Sequence, residues 1–390
     1  MIKIKKSRFV IIIVCTVMAT LLAVGAGFFV FAKANDVTLV NATKYSKMEK
    51  IANRYSKLYA LQNEINQNGL WKISQTKQMN AIYKGLFNSL GDQYSEYMTK
   101  AEAKKWDSYV NGTFYGIGVS FSKNDKGDFV VLKVFQDSPA EAAGLKKGDQ
   151  ILKVNGKTYK SADALGKAIR GKEGTKVELS IKRSGTTKNV SITRGEVTEN
   201  SVYSSVLKGK IGYIWISSFS QNTADEFKTE LKSMESKNVK GLVIDIRENG
   251  GGYTDQGIEI ADMLLPEGTI TYMEDRNGKK TYYNSKEGRT KLKYVLLVDG
   301  NTASTSEILA SAIKDNKGGK LVGTTTFGKG IVQEEKSFKD GSAFKLTIYQ
   351  YFSPKGNKIH KVGVKPDYQV KLKSGSTTDY QLQKALQLLK

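Results

Sequence analysis

Gly241-Leu-Val-Ile-Asp-Ile-Arg-Glu-Asn-Gly-Gly-Gly252 decides the architecture of the second half of the chain. Residues 241–246 are apolar on both faces apart from Asp245. A strand with one wet face would alternate, so a short apolar run closed by glycine reads as a strand buried on both sides. The loop Asn249-Gly-Gly-Gly252 follows, and the pattern beyond it predicts a helix through Leu265. Working outward, strands are expected at Gly212–Ile216, Tyr294–Val298, Lys320–Gly323 and Ile331–Glu335. Helices are expected over Asn222–Ser236 and from about Ser304 to Lys314. This alternation, from 205 to 373, predicts a layered α/β domain.

Residues 112–195 have a different character. Short β-rich runs at Gly116–Phe121, Phe129–Val134, Gln150–Val154 and Lys176–Ile181 are separated by glycine-containing turns. A short helix at Ser138-Pro-Ala-Glu-Ala-Ala-Gly144 and a second from Ser161 to Arg170 complete a small barrel-like unit. The stretch Ser138-Pro-Ala…Ala-Gly-Leu145…Gly-Asp149…Val-Asn-Gly156 resembles a PDZ domain. That resemblance implies capture of an extended peptide C-terminus, with backbone N–H groups around Tyr115, Gly116, Ile117 and Gly118 meeting the carboxylate. Glycines there let two N–H groups face one anion.

Further upstream, residues 44–110 read as helical. Met48, Ile51, Tyr55, Leu58, Gln62 and Ile65 recur at steps of three and four, with Gly69 as a stop. Ser74 opens a second helix carrying Met79, Ile82, Leu86 and Leu90, ended by Gly91. Packing on the next domain and pairing with a second copy, a homodimer, both remain open for this region. Lys3, Lys5, Lys6 and Arg8 precede an uncharged run from Phe9 to Ala32, roughly 36 Å as a helix. That order predicts a single transmembrane helix with an inside N-terminus and the rest outside. Ala32-Lys33-Ala34 leaves cleavage after Ala34 open, and a retained anchor is the favoured reading.

Composition excludes more than it assigns. The chain has one cysteine, Cys15, inside the apolar run, and one histidine, His360. No intramolecular disulfide, cysteine metal cluster or HExxH zinc site can be written, and no cofactor or metal is implied. A Ser–His–Asp protease would have to use His360, outside any GxSxG context. Lys+Arg exceed Asp+Glu by 61 − 38 = +23, spread along the whole chain with no arginine-rich cluster. A solvated basic surface is the expectation, not specific nucleic-acid binding.

Three elements of the α/β segment carry chemistry. In Asn301-Thr-Ala-Ser-Thr-Ser-Glu307 a buried strand gives way to a helix, which exposes the Ser304 hydroxyl near a positive helix end. The same residues also spell a capping box, Ser304-x-x-Glu307. Lys329, in Thr326-Phe-Gly-Lys-Gly330, can deprotonate a serine only when neutral, which burial promotes. The Gly250–Gly252 loop is suited to presenting N–H donors to an oxyanion, and the amide of Thr305 is a natural second donor. Gly323-x4-Gly-Lys329 approaches a phosphate loop, but position 330 is Gly where Ser or Thr should ligate magnesium, and a strand follows where a helix is required. The Ser-x-x-Lys pairs Ser74–Lys77 and Ser311–Lys314 lack the companion motifs of penicillin-binding enzymes.

Together, Ile244-Asp-Ile-Arg-Glu-Asn-Gly-Gly251, Thr302-Ala-Ser-Thr-Ser-Glu307 and Thr326-Phe-Gly-Lys-Gly-Ile-Val-Gln333 resemble the C-terminal processing (tail-specific) peptidases. The likeness runs from Leu90-Gly-Asp-Gln-Tyr-Ser95 to Val362-Gly-Val-Lys-Pro-Asp367. It implies a crotonase-like fold for the catalytic domain, with Ser304 as nucleophile and Lys329 as general base. Gln333 would orient the lysine amine. The amides of Gly250 or Gly251 and of Thr305 would form the oxyanion hole, and Arg170 would sense the state of the PDZ domain.

The expected organisation is an anchor or signal segment over 1–34, a helical region over 35–111, a PDZ domain over 112–196, a protease domain over 197–373 and a tail over 374–390. The expected activity is endopeptidase cleavage of envelope or secreted proteins with accessible apolar C-terminal tails, at the outer face of the cell membrane. A catalytically silent PDZ adaptor at the cell surface is the alternative.

Overall fold

The computed structural model describes residues 5–36, 41–124, 126–135, 137–286, 289–372 and 378–390. Lys3 of the basic flank and the 373/374 junction lie outside these residues. The chain divides into two compact units, Met1–Ala81 and Ile82–Lys390.

In the first unit, Lys6–Ala34 is one helix, long and apolar enough to cross a membrane, with no buried residue. Ala42–Asn68 is a second helix, whose first turn is capped by Asn41 accepting from the Thr43 amide. Met48, Ile51, Tyr55 and Ile65 of its apolar stripe are exposed. The next helix, Gln75–Asn88, starts one residue after Ser74 and runs past the end of this unit at Ala81; within the unit Gln78 donates to Asn66 at 2.7 Å.

After the end of that helix, the second unit departs from the helical expectation. Glu96–Met98 is a strand, paired antiparallel with Ala343–Phe352, before the helix Lys100–Val110 begins at a Thr99–Glu102 capping box. Helical spacing could not show this, because Tyr97 and Met98 are buried by a strand some 250 residues away.

The PDZ-like segment is a five-stranded antiparallel sheet in the order Val119–Lys123, Phe129–Val134, Gln150–Val154, Lys176–Arg183 and Thr186–Thr193. A separate ribbon pairs Thr113–Gly116 with Gly195–Thr198, so the run expected as one strand at 116–121 breaks at Ile117-Gly118. The barrel-like impression is thus met by an open sheet, a ribbon and the helices Pro139–Ala142 and Ala162–Ile169. Val131, Val154, Val177 and Leu179 are fully buried at its centre.

The remaining segment carries two sheets. The first runs Tyr368–Gln369, Lys320–Gly323, Tyr294–Val298, Gly241–Asp245, Ile211–Ile216, Val202–Leu207, parallel except for its last pair. Period-two alternation explains its all-apolar strands. Leu242, Ile244, Leu296 and Val298 face the main core, where Thr223–Ser236, Thr254–Leu264 and Thr305–Asp315 pack. Val243, Val295 and Leu297 face the other way, under the last helix, Tyr380–Leu388. Fully buried side chains such as Phe219 and Phe227 each contribute about 1.5–3 kcal/mol. The second sheet is antiparallel, with Ala343–Phe352 joined to Glu96–Met98, Gly268–Asp275 and Ile331–Ser337, and Lys280–Ser285 at its edge. The turns that carry Ser304 and Lys329 lie where strands of these two sheets end or begin.

Candidate active site

Ser304 ends the loop after the strand Tyr294–Val298 and begins the helix Thr305–Asp315. Its backbone sits at φ 58°, ψ −121°, where a residue with a Cβ is strained. Two arrangements hold it there. The Asn249-Gly-Gly-Gly252 loop lies directly behind it: a Cβ on Gly251 would fall 2.7 Å from Ser304 Cβ and 3.1 Å from the Thr305 nitrogen. Asn249, fully buried, accepts from the Ala303 amide and the Ser306 hydroxyl through its carbonyl, and its side chain donates to Ile216 O.

Gly252 presses against Phe219, where any Cβ would meet the carbonyl oxygen at 2.1 Å, and its φ is 146°. Gly252→Ala is therefore expected to lower unfolding free energy by about 3 kcal/mol or more, through steric overlap and backbone strain together. A denaturant midpoint equal to that of wild type would contradict this.

Among the described residues, the amides of Gly250 and Thr305 have no hydrogen-bond acceptor, while Gly251 N–H donates to Asn249 Oδ1 at 2.9 Å. Of the two glycine donors that the sequence left open, Gly250 is the one with a free N–H.

Glu307 ties the serine loop to the lysine turn. Its carboxylate accepts from the amides of Ser304 (3.0 Å), Gly328 (2.8 Å) and Lys329 (2.8 Å), and from the Thr326 hydroxyl (2.5 Å). The Thr326 oxygen also accepts from the Val364 amide, while its proton is donated to Glu307. The three amides can only donate, and the Thr326 hydroxyl supplies the fourth donor. Burial pushes its pKa up, and the four donors oppose that rise without reversing it. The carboxylate also sits at a helix N-terminus, where an anion is favoured. The capping box expected at Ser304-x-x-Glu307 is real in its carboxylate half, while the Glu307 amide goes to the Ser304 carbonyl at 2.7 Å. Its larger role, bridging to residues 326–329, was invisible to a local motif.

Lys329 lies in the turn before the strand Ile331–Ser337. Burial lowers its pKa, the Lys345 cation pushes the same way, and Asp92 and Glu307 pull back. Its Nζ stands 4.9 Å from the centre of the Tyr94 ring. Among the described residues it donates no hydrogen bond to Ser304 or Gln333. Gln333 instead donates to Thr347 Oγ1 at 3.2 Å across the strand pair. Tyr94 gave no signal in the sequence beyond its place in the Leu90–Ser95 motif. His360 follows Ile359 behind Gly330, and its buried Nδ1 has no partner among the described residues, so no Ser–His–Asp hydrogen-bond chain runs through that nitrogen. Leu90, Asp92, Tyr94, Phe327, Ile331 and His360 are among the residues lining a cavity of about 760 Å³ beside the lysine turn.

The PDZ groove is a separate cavity of about 300 Å³. Gly116, Ile117, Gly118, Ile169 and Arg170 line it, and among the described residues the amides of Ile117 and Gly118 have no acceptor. Tyr115 is not in its wall. Strand alternation turns that side chain away, and its hydroxyl meets Glu196 at 3.3 Å. Phe114, which the sequence reading passed over, lines the groove, with the Arg170 guanidinium 5.5 Å from its ring centre.

Residues 210–370 match the model of peptidase family S41, and residues 116–193 match that of the PDZ domain. The chain is 37% identical to carboxy-terminal processing protease CtpA of Bacillus subtilis over 82% of its own length and 69% of the relative's. It is likewise 37% identical to CtpB of the same organism, over 84% and 69%. A solved structure from Bacteroides fragilis superposes with TM-score 0.54 at 17% identity, covering 84% of this chain and 96% of its own, and shares the fold alone. The chain belongs to peptidase family S41, as a serine peptidase of the C-terminal processing type with a PDZ domain. A peptidase with a PDZ domain acts on proteins. The N-terminal apolar helix is of the kind found in signal sequences and anchors.

Proposed function

We propose that the chain is an endopeptidase held at the outer face of the cell membrane by Lys6–Ala34, cleaving envelope or secreted proteins whose apolar C-terminal tails enter the PDZ groove. Ser304 is the nucleophile and Lys329 the general base. The observation that carries this reading is the shared carboxylate: Glu307 accepts from the backbone amides of both residues, at 3.0 and 2.8 Å. Two residues 25 positions apart are thereby brought to one point.

In this reading the Lys329 amine takes the Ser304 proton as Oγ attacks the scissile carbonyl. The amides of Gly250 and Thr305 receive the oxyanion, and the lysine returns the proton to the leaving amine. Water then hydrolyses the acyl-enzyme by the same path. With Lys329 Nζ on the Tyr94 ring and Gln333 bonded to Thr347, the Ser304–Lys329–Gln333 hydrogen bonds in this reading form when substrate binds, as such bonds often tighten only in the substrate complex.

The test is cleavage of an unfolded protein ending in an apolar tail by the full-length chain in detergent, beside Ser304→Ala and beside a substrate with an amidated, polar tail. Cleavage that needs Ser304 and the free apolar tail supports the proposal. Equal cleavage by Ser304→Ala refutes the catalytic assignment, and equal cleavage of the two tails refutes the tail-recognition part.

A further inference from the structure

Glu307 gathers the N–H groups of Ser304 and Lys329, and a second side chain gathers their C=O groups. The Tyr351 hydroxyl lies 2.9 Å from Ser304 O and 2.7 Å from Lys329 O. Tyr351 comes from the long strand Ala343–Phe352 and is among the largest fully buried side chains of the protein. Its own amide donates to Gly330 O at 3.1 Å, so it is fixed to the lysine turn by backbone as well as by side chain. Burial, with the nearby Glu307 carboxylate, pushes its phenol well above the ordinary range, so the hydroxyl keeps its proton. A phenol has one proton to give, and here two carbonyls share it.

We propose that Tyr351 is a positioning residue for peptide hydrolysis, setting the spacing of the Ser304 and Lys329 backbones through its one shared hydroxyl. This rests on the reading of Ser304 and Lys329 given above. The physical reason is reach. Lys329 carries its amine at the end of a flexible four-carbon stem, so the position of its backbone decides whether Nζ can meet Ser304 Oγ in a reactive geometry. An error of about 1 Å in such a placement costs roughly 100-fold in rate. Tyr351 touches neither substrate nor reacting atoms, so its loss falls on kcat and leaves KM alone.

The experiment uses the full-length chain in detergent, with Tyr351→Phe and with p-aminophenylalanine placed at 351 by codon reassignment. Phe removes only the oxygen, and the amino analogue offers two N–H donors, one for each carbonyl. Tyr351→Phe is expected to lose roughly 10- to 100-fold in kcat with KM unchanged. The amino analogue is expected to recover most of that loss. A folded Tyr351→Phe with wild-type kcat overturns the proposal. So does an amino analogue that melts like wild type yet is as slow as the Phe variant; should the Phe variant not fold, the analogue decides alone, wild-type kcat supporting the proposal. Ser304→Ala and Lys329→Met are run beside them: activity retained in those would refute the underlying dyad, a result distinct from failure at Tyr351.

Discussion

Lys329→Met should leave a folded protein with kcat reduced by about 10⁴-fold or more, the scale on which removal of a catalytic base falls in serine hydrolysis. The lysine is half-buried, its Nζ rests against the Tyr94 ring and makes no hydrogen bond among the described residues, so an apolar side chain of similar length fits without leaving an acceptor unsatisfied. The melting temperature should therefore hold or rise while activity disappears. The wild-type pH profile carries the same information with a sign. The reactive form is the free amine, so kcat/KM rises with pH as the proton leaves, and burial places that rise below the ordinary lysine value of about 10.4. Stability moves in the same direction. Between the lowered folded-state pKa and about 10.4 the unfolded chain binds a proton that the folded one does not, so this group favours folding more as pH increases. A Lys329→Met variant that still cleaves, or a rising limb at the ordinary lysine value, would exclude this lysine as the base.

Arg247→Met should destabilise the fold by about 3–5 kcal/mol, the scale on which breaking a buried ion pair falls. The guanidinium donates through Nε to Asp245 at 2.9 and 3.1 Å, and to Asp379 at 3.0 and 2.9 Å and Gln381 at 3.0 Å. Burial alone would lower its pKa, but the two carboxylates outweigh that and raise it. Asp245 is 3% exposed, and without Arg247 it keeps the Tyr213 hydroxyl as a side-chain donor but no cation. Burial raises the pKa of Asp379, and its bonds to Arg247 more than reverse this, leaving it lowered. A lowered carboxylate contributes stability that is present above the unfolded value near 3.9 and is lost as pH falls through the folded one. The variant has lost that contribution, so its deficit should be largest at neutral pH and shrink in acid. Urea melts at pH 7 and pH 3.5 measure both. Equal midpoints at pH 7 would show that the last helix is held by its apolar face alone.

How much of this was legible depends on what local patterns encode. Buried parallel strands are legible because an unbroken apolar run has few alternatives, and Tyr294–Val298 and Lys320–Gly323 lie where that pattern puts them. Ser304 and Lys329 stand out because their surroundings are unusual in composition: a serine at the end of a buried strand, a lysine between glycines. Tyr351 was not legible. In Ala343–Phe352 aromatic and polar residues follow one another, and nothing local says which tyrosine reaches two distant carbonyls. The strand Glu96–Met98 was hidden for the same reason, since three residues beside a helix acquire their structure only from a partner strand. Gln333 marks a different limit. A motif can name a residue for a role, but its side chain bonds whatever is nearest in the conformation at hand, and here that is Thr347.

The four donors gathered on Glu307 come from three stretches of chain, 304, 326 and 328–329. A carboxylate with no solvent exposure is tolerable only when all of them have arrived, because a charge left half-paired in the interior costs several kcal/mol. Intermediate arrangements, with serine and lysine near each other but the carboxylate unsatisfied, are therefore scarcely populated. On the reading proposed above, a partly unravelled molecule in which these stretches have not met on Glu307 should therefore lack peptidase activity, a safeguard against cleaving itself or its neighbours.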